Sequence, residues 1–100
     1  MMQVKANQIR AGMRNVKLIG RLKEVGEPRK IGTRFGLATF ATANFEDETG
    51  SVRLNLWRDQ IDVAKAGDRI ALENAFTREF GGVVEVNIGK DGKISVLNSE

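Results

Sequence analysis

The sequence predicts a single all-β domain of five strands, with one short helix between the third and fourth strands. Three features of the 100 residues lead to this prediction. Short runs of alternating apolar and polar residues are separated by turn residues, the hydrophobic period changes once, after Trp57, and the length is that of one ordinary domain. We expect residues 1–100 to form one domain in which residues 1–14 are an extended lead-in.

Alternation, caps and turn residues place the predicted elements along the chain. They are strands at residues 15–25, 35–45 and 51–57, a two-turn helix at 59–67, a strand at 69–80, and a last strand at 83–88 that resumes at 94–97 after a "GKDGK" turn. Asp59 is the expected N-cap of the helix and Gly67 its end. Residues 26–36 contain a proline, three glycines and three basic residues, which predicts a mobile cationic loop.

Two irregularities are expected in the strands. Gly20 allows a bend in a long, coiled first strand, since strand glycines often mark bulges and tight barrel bends. Asn74 falls in an inward position of the fourth strand, which predicts a bulge there. Phe40 and Phe45 lie among small apolar residues and are expected in the core, whereas Phe35 lies at the edge of the loop.

Three strands, a short helix, and two further strands joined by a hairpin form the element order of the OB-fold. This fold is a five-stranded Greek-key barrel whose sheet face and flanking loops bind oligonucleotides or oligosaccharides. A small SH3-like barrel is the main competing fold. The position of the helix, between the third and fourth strands, favours the OB-fold.

The sequence contains no cysteine and no histidine. Disulfides, zinc–thiolate sites and the commonest general acid–base residue are thereby excluded, and we expect no enzyme and no cofactor. The acidic cluster at residues 46–48 is the only candidate for binding a metal, and it is interpreted as a solvated hairpin turn. No apolar run has membrane-spanning length and no segment resembles a signal peptide, so a cytoplasmic protein without a membrane partner is expected.

Charge is distributed unevenly along the chain. Residues 1–45 carry nine basic and two acidic side chains, whereas residues 46–100 carry seven basic and eleven acidic ones. Such segregation predicts one basic surface, which is the usual footprint of a polyanionic partner. An ordinary solvated face is the alternative.

Trp57 is the strongest indication of function. In the run "SVRLNLW" the residues Leu54 and Leu56 point to one side, so Trp57 shares the other side with Arg53 and Asn55. A tryptophan among polar neighbours gains little by packing unless a flat group lies against it. We therefore expect Trp57 to stack on a nucleic-acid base, with Arg53 contacting phosphate and Asn55 a base edge.

Further residues are candidates for the same surface. Phe76 and Phe80 lie four residues apart in one strand and are expected to stack on bases, although closure of a barrel end would also account for them. Basic residues expected to neutralise phosphates are Arg29, Lys30 and Arg34 in the first loop, with Arg21 and Lys23 on the first strand.

The runs "DETGSVRLNLW", "GDRIALENAF" and "FGGVVEVNIGK" resemble the short single-OB single-stranded-DNA-binding proteins of archaea. These are related to the OB domains of replication protein A and to the human single-strand-binding proteins. The resemblance extends from about Ile9 to Leu97 and implies that Trp57, Phe76 and Phe80 stack on bases. Phe76 stands where this family often has tryptophan. Many members carry a flexible tail that recruits partners, and this sequence ends at Glu100 without one.

The expected function is sequence-independent binding and protection of single-stranded DNA in replication, recombination or repair, by a monomer that meets replication or repair proteins. Base stacking on aromatic rings and phosphate contacts would supply the affinity. Two alternatives stay open at this point: an OB domain that binds RNA or tRNA, and an OB module whose aromatic residues anchor a partner protein.

Overall fold

Seven strands supply nearly all the regular structure in the computed structural model, which describes residues 1–98. They are β1 (Met2–Gln3), β2 (Val16–Val25), β3 (Arg29–Thr33), β4 (Gly36–Asp47), β5 (Gly50–Trp57), β6 (Arg69–Phe80) and β7 (Val83–Val96). Within the described residues, helical structure is limited to two short 3-10 segments, at Ala6–Gln8 and Arg58–Asp62. The prediction of an all-β fold is confirmed.

The strands close into a barrel. Their hydrogen-bonded order is β1-β2-β6-β7-β5-β4-β3, and an additional pairing joins β2 to β4. The closed part therefore consists of β2, β6, β7, β5 and β4, while β1 and β3 are attached outside it. A parallel contact between β5 and β7 completes the ring, with Arg53, Leu54 and Asn55 opposite Glu85, Val86 and Asn87.

Gly20 lies where β2 passes from one neighbour to the other. The first half of β2 pairs with β6 as far as Arg21, and the second half pairs with β4 from Arg21 to Val25. A Cβ at residue 20 would collide with the backbone carbonyl of Glu46 and the ring of Phe45. The bend expected at Gly20 is thus a close approach of two backbones, which only glycine permits.

The core lies inside the barrel and contains the inward residues that alternation predicts. Its largest fully buried side chains are Phe45, Leu18, Leu22, Leu54, Leu56, Ile70, Leu72, Val16 and Val86. Ile9 and Met13 from the lead-in pack against this cluster. The opposite face of β4 and β5 is consequently free to carry polar and aromatic groups.

The residues between Pro28 and Gly36 form a hairpin, and the prediction of a mobile loop is wrong. All five residues of β3 pair with β4, from Arg29 opposite Phe40 to Thr33 opposite Gly36. Gly36, with φ of +106°, allows the turn. Pairing with β4 satisfies the backbone groups of β3 that face that strand, and this orders the basic, glycine-containing segment without core contacts.

The predicted two-turn helix at residues 59–67 is also wrong, because only Arg58–Asp62 is helical and its form is 3-10. Asp59 is not the N-cap: Trp57 holds that position, and its N–H donates to Oε1 of Gln60 at 2.9 Å. Further along, the Asp68 carboxylate accepts the N–H of Lys65 at 3.0 Å. This local turn competes with a second helical turn for the backbone.

β7 runs without interruption through "GKDGK", where the sequence predicts a turn. Ile88 pairs with Ala75 and Lys93 with Glu73, so residues 89–92 lie opposite Asn74 alone. Asn74 has φ of +54°, and the predicted bulge at this position is confirmed. The bulge absorbs the extra residues of β7, so the strand continues instead of turning.

The lead-in is not extended throughout. β1 pairs in parallel with the start of β2, and a 3-10 turn follows at Ala6–Gln8. Farther on, the Thr77 hydroxyl accepts the N–H of Met13 at 2.8 Å, and the N–H of Thr77 donates to the Met13 carbonyl at 3.0 Å. The lead-in is therefore fastened to the barrel at both ends.

The two helical segments found within residues 1–98 are 3-10 turns of three and five residues, and neither has the length or the apolar character of a membrane-spanning helix.

Candidate nucleic-acid interface

Trp57 ends β5 on the outward face of the barrel, beside Arg53 and Asn55 on the same strand face. Its ring lies against Phe40 of β4, with centroids 4.5 Å apart and planes inclined by 53°. Phe40 is 8% exposed, whereas Trp57 is only half-buried. Phe40 thus supports the indole, and part of the indole surface stays accessible to a ligand.

Phe40 is buried, as the sequence predicts, but on the outer face of the barrel and outside the main core cluster. It lies opposite Trp57 in the β4–β5 register and is buried on the outer face. The guanidinium of Arg29 lies 5.7 Å from its ring centroid, a cation–π contact. Phe45 is fully buried inside the barrel as expected. Phe40 therefore joins Arg29 of the hairpin to Trp57 of the sheet.

A polar patch adjoins Trp57 on the same face. Nη1 of Arg53 lies 3.3 Å from Oε2 of Glu85, and Nδ2 of Asn55 donates to Oε1 of Glu85 at 2.9 Å and to Oδ1 of Asn87 at 3.1 Å. Glu85 and Asn55 are both buried. The amide hydrogens of Asn55 are therefore occupied, and a phosphate would compete with Glu85 for Arg53.

Phe76 continues the aromatic face on β6. It lies opposite Asn87 in the β6–β7 register and is half-buried. A groove runs past its ring between the lead-in and the bulge of β7, and three exposed basic residues line that groove: Arg14, Arg78 and Lys90. Two carboxylates, Glu79 and Asp91, also line it, so Phe76 lies in a groove with only a small excess of basic side chains.

Phe80 is the last residue of β6 and is 72% exposed. Gly81 and Gly82, with φ of +59° and +82°, form the turn that follows. Phe80 lies on the same strand face as Phe76, about 13 Å further along at the usual rise of a strand. It is thus an exposed ring at the end of this face.

The β3–β4 hairpin carries the three loop cations of the prediction. Arg29, Lys30 and Arg34 are all exposed, and Arg34 lies 5.7 Å from the ring centroid of Phe35. Because Arg29 pairs with Phe40, and Phe40 with Trp57, the hairpin borders the aromatic face directly. We use the name aromatic face below for the outward side of β4–β7 that bears Phe40, Trp57, Phe76 and Phe80.

Arg21 and Lys23 lie apart from these residues. Arg21 pairs with Glu46 and donates to the carbonyl of Gly67 at 2.6 Å, and Lys23 lies 3.7 Å from the Glu46 carboxylate. Glu46 is six residues from Phe40 along β4, or about 20 Å at the usual rise. These two cations thus belong to the far end of the barrel.

The acidic turn at residues 46–48 has a structural role. Asp47 accepts hydrogen bonds from the N–H of Ala6 at 2.8 Å and from the N–H and hydroxyl of Thr49 at 2.8 and 2.6 Å. Burial raises the pKa of Asp47, but these hydrogen bonds outweigh burial and hold the pKa below its ordinary value. The turn therefore fastens the lead-in. No metal-ligating group of three or more acidic side chains is found within residues 1–98.

Sequence reasoning missed four residues of this surface. The pattern of β4 leaves open which face is buried, because both faces are apolar, so it does not predict that Phe40 supports Trp57. Arg14, Arg78 and Lys90 come from three separate segments and meet only around Phe76. Only Arg78 could have been predicted from the sequence, because alternation along β6 places it on the same face as Phe76 and Phe80.

A closed five-stranded barrel with an open face of aromatic rings and bordering cations defines an OB-fold domain of the oligonucleotide-binding type. The comparison with protein families agrees with this class. A family described as single-stranded DNA binding protein Ssb-like, OB fold, matches residues 5–96. The chain belongs to this family.

Two curated relatives are similar over most of the chain. The single-stranded DNA binding protein Ssb of Saccharolobus solfataricus is 36% identical over 99 residues, which are 99% of this chain and 67% of that protein. Replication factor A of Methanothermobacter thermautotrophicus is 34% identical over 87 residues, which are 81% of this chain but only 11% of that protein. The chain thus corresponds to one small part of the second relative.

The fold has a similar solved structure. The OB domain of a Thermoplasma acidophilum protein, determined by NMR, superimposes with a TM-score of 0.87 over 100% of this chain and 91% of that chain. Its sequence is 18% identical. The prediction of an OB-fold is confirmed.

Proposed function

We propose that this protein binds single-stranded DNA without sequence preference and covers single strands exposed in replication, recombination or repair. The observation that carries the proposal is the half-exposed Trp57 ring supported by Phe40 on a barrel face with cations on both sides. The names of the two curated relatives, a single-stranded DNA binding protein and a replication factor, support it.

Stacking supplies the first part of the mechanism. Every base has a π-face, so rings at Trp57, Phe76 and Phe80 can hold successive bases of any sequence. Trp57 lies at the end of β5, which pairs in parallel with β7. Phe76 lies on β6, on the other side of β7 and opposite Asn87. A single strand laid across β5, β7 and β6 would meet them in turn.

Cations supply the second part. Arg29, Lys30 and Arg34 border the aromatic face on the hairpin side, and the groove at Phe76 contains three more basic residues. A backbone that follows this face would displace counterions at each phosphate it neutralises, which makes affinity fall with salt. Arg53 would exchange Glu85 for a phosphate.

The proposal includes no chemistry on the bound strand. One relative is named a single-stranded DNA binding protein and the other a replication factor, and neither name is that of an enzyme. We further propose that the protein acts as a monomer in the cytoplasm or nucleoid, where it meets replication and repair proteins. A single open face per barrel is sufficient for binding of this kind.

The decisive experiment measures the fluorescence anisotropy of a labelled oligo-dT of about 16 nucleotides, the upper footprint of one OB-fold. Trp57→Ala is expected to weaken binding about five- to 150-fold for oligo-dT and mixed sequences alike, because one stacked base is lost. Val63→Ala is the matched control, since Val63 is an exposed apolar residue in a groove beside Val25 and Lys65. Equal affinities of the Trp57 variant and the parent would overturn the proposal.

Competition with unlabelled oligomers distinguishes single-stranded DNA binding from RNA binding and from the binding of a partner protein. A matched RNA oligomer that displaces the DNA at lower concentration would identify an RNA-binding domain. A parent protein that binds neither oligomer at low salt would indicate a protein-interaction module. A duplex of the same length is expected to compete poorly, because its bases are not available to Trp57.

A further inference from the structure

Phe35 is a large aromatic residue that the barrel does not use. It lies at the tip of the β3–β4 hairpin and is 84% exposed, more than any other exposed large apolar side chain among the described residues. Its ring contacts the guanidinium of Arg34 at 5.7 Å from the centroid. Packing therefore gives no reason for an aromatic ring at this position.

The turn holds Phe35 in place. The N–H of Phe35 donates to the Thr33 hydroxyl at 3.1 Å, and that hydroxyl donates to the carbonyl of Gly36 at 2.6 Å. Gly36, with φ of +106°, completes the turn. The ring is thus presented by a hydrogen-bonded turn on a paired hairpin, and its exposure is a property of the fold.

Phe35 and Trp57 line the same groove. The groove opens between the hairpin tip, the end of β5 and the bulge of β7, and its walls include two aromatic rings, two basic side chains and one carboxylate: Phe35, Trp57, Arg58, Lys90 and Asp59. Two aromatic rings, with Arg58 and Lys90 beside them, match a flat group attached to an anionic chain. A nucleobase of single-stranded DNA has this chemistry.

We propose that Phe35 is a base-stacking residue, which holds a nucleobase of the single strand in the groove it shares with Trp57. Arg34 beside it neutralises an adjoining phosphate. The inference rests on the proposed function, and it adds the hairpin as a second wall of the binding site. The sheet would support bases from one side and the hairpin would hold one of them from the other.

The test compares four variants in the anisotropy assay with oligo-dT. Phe35→Ala is expected to weaken binding about five- to 150-fold, the effect of one lost stacked base. Phe35→Leu, which is apolar but has no ring, is expected to bind as weakly as the alanine variant, and Phe35→Trp to bind like the parent. Leu37→Ala is the matched control, because Leu37 is 73% exposed on the same hairpin but lines a different groove with Pro28 and Asp59.

Salt dependence gives a second readout. Phe35→Ala removes no charge, so the slope of log affinity against log salt is expected to stay at the parent value, while Arg34→Ala is expected to make this negative slope less steep by about 0.7. Urea unfolding of each variant verifies that the barrel is unchanged. A loss of affinity at Phe35 with an unaltered slope is the result that supports stacking.

Three outcomes would overturn the inference. In the first, the parent binds and Trp57→Ala weakens binding, but Phe35→Ala binds like the parent; the proposed function then stands without the hairpin ring. In the second, Leu37→Ala and Phe35→Ala weaken binding equally, which indicates hairpin packing instead of stacking. In the third, the parent binds no single strand, and the proposed function fails together with the inference.

Discussion

Asp47 shows how one side chain can organise a segment that sequence alone describes as a solvated turn. Its carboxylate accepts three hydrogen bonds, two from Thr49 and one from the N–H of Ala6. The Asn7 N–H donates to the Thr49 hydroxyl at 3.0 Å, which adds a second link to the lead-in. The acidic turn is therefore a fastening point for residues that follow β1.

Asp47→Ala is expected to destabilise the protein by about 1–3 kcal/mol, because partly buried donors lose their acceptor. The measurement is the free energy of unfolding in urea. Glu48→Ala is the matched control: Glu48 forms an ion pair with Lys5, at 2.6 Å, between exposed side chains, and its loss is expected to cost much less because solvent screens such a pair. Similar losses in the two variants would contradict the role given to Asp47.

Gly20 has a comparable role in β2, at the scale of an element. The strand serves two neighbours in succession, and the backbone of Glu46 lies directly against residue 20. Any side chain here pushes β2 away from β4. The closure of the barrel between these strands therefore depends on a residue without a Cβ.

Gly20→Ala is expected to destabilise the fold by about 1–3 kcal/mol or more, as overpacking of a tight contact does. Gly32→Ala is the control, because a Cβ at Gly32 in β3 meets no atom within 4 Å. That variant is expected to change stability by less than about 1 kcal/mol. Urea midpoints measure both, and an unaffected Gly20 variant would show that β2 can bend elsewhere.

The β3–β4 hairpin supplies a prediction about salt. The slope of log affinity against log salt is negative, and each of Arg29→Ala, Lys30→Ala and Arg34→Ala is expected to make it less negative by about 0.7, if each neutralises one phosphate. Lys65→Ala removes the same charge from a side chain that is 86% exposed beside Asp68, and it should leave the slope unchanged. If all four variants keep the parent's slope of log affinity against log salt, the hairpin cations contact solvent and not phosphate.

Sequence reasoning succeeded where alternation was strict and failed where backbone pairing decided the structure. The inward residues of β2 and β5 and the bulge at Asn74 follow from side-chain pattern alone. β3 was missed because its residues resemble a loop and are ordered only by their partner strand. The helix was overestimated because the carboxylate of Asp68 forms a local turn with Lys65.

The sequence predicts only part of the candidate site. The outward position of Trp57 follows from the alternation of β5, and the structure places it so. The support that Phe40 gives to Trp57 is not predicted, because β4 has small apolar residues on both faces and its pattern does not identify the inward one. The grouping of Arg14 and Lys90 around Phe76 depends on the course of three segments, which no local pattern specifies.

For the molecule as a whole, acid is expected to unfold the protein through a few carboxylates. Hydrogen bonds from Lys65 and Asn98 lower the pKa of Asp68, and the hydrogen bonds at Asp47 lower that of Asp47, both from an ordinary value of 3.8. The unfolded chain therefore takes up these protons first as pH falls. Their contribution to stability is complete above the unfolded value and is lost as pH falls through the folded values.

This effect is measured as the urea midpoint at pH 7 and at pH 3. The parent is expected to lose stability between these values, and Asp47→Asn to lose less, since residue 47 no longer titrates. Asp68→Asn is likewise expected to lose less stability than the parent, because it removes the second carboxyl whose pKa is lowered by folding. With no histidine in the sequence, stability should change little between pH 5 and pH 8.

The parallel contact that joins residues 53–55 to residues 85–87 also has a consequence for biosynthesis. β5 leaves the ribosome about thirty residues before its partner in β7, an interval of about 2–6 s at ordinary rates of translation. During that interval the nascent sheet has an unpaired edge, which other chains can join. The spacing of two strands in the sequence thus sets how long each new molecule is exposed to aggregation before its barrel closes.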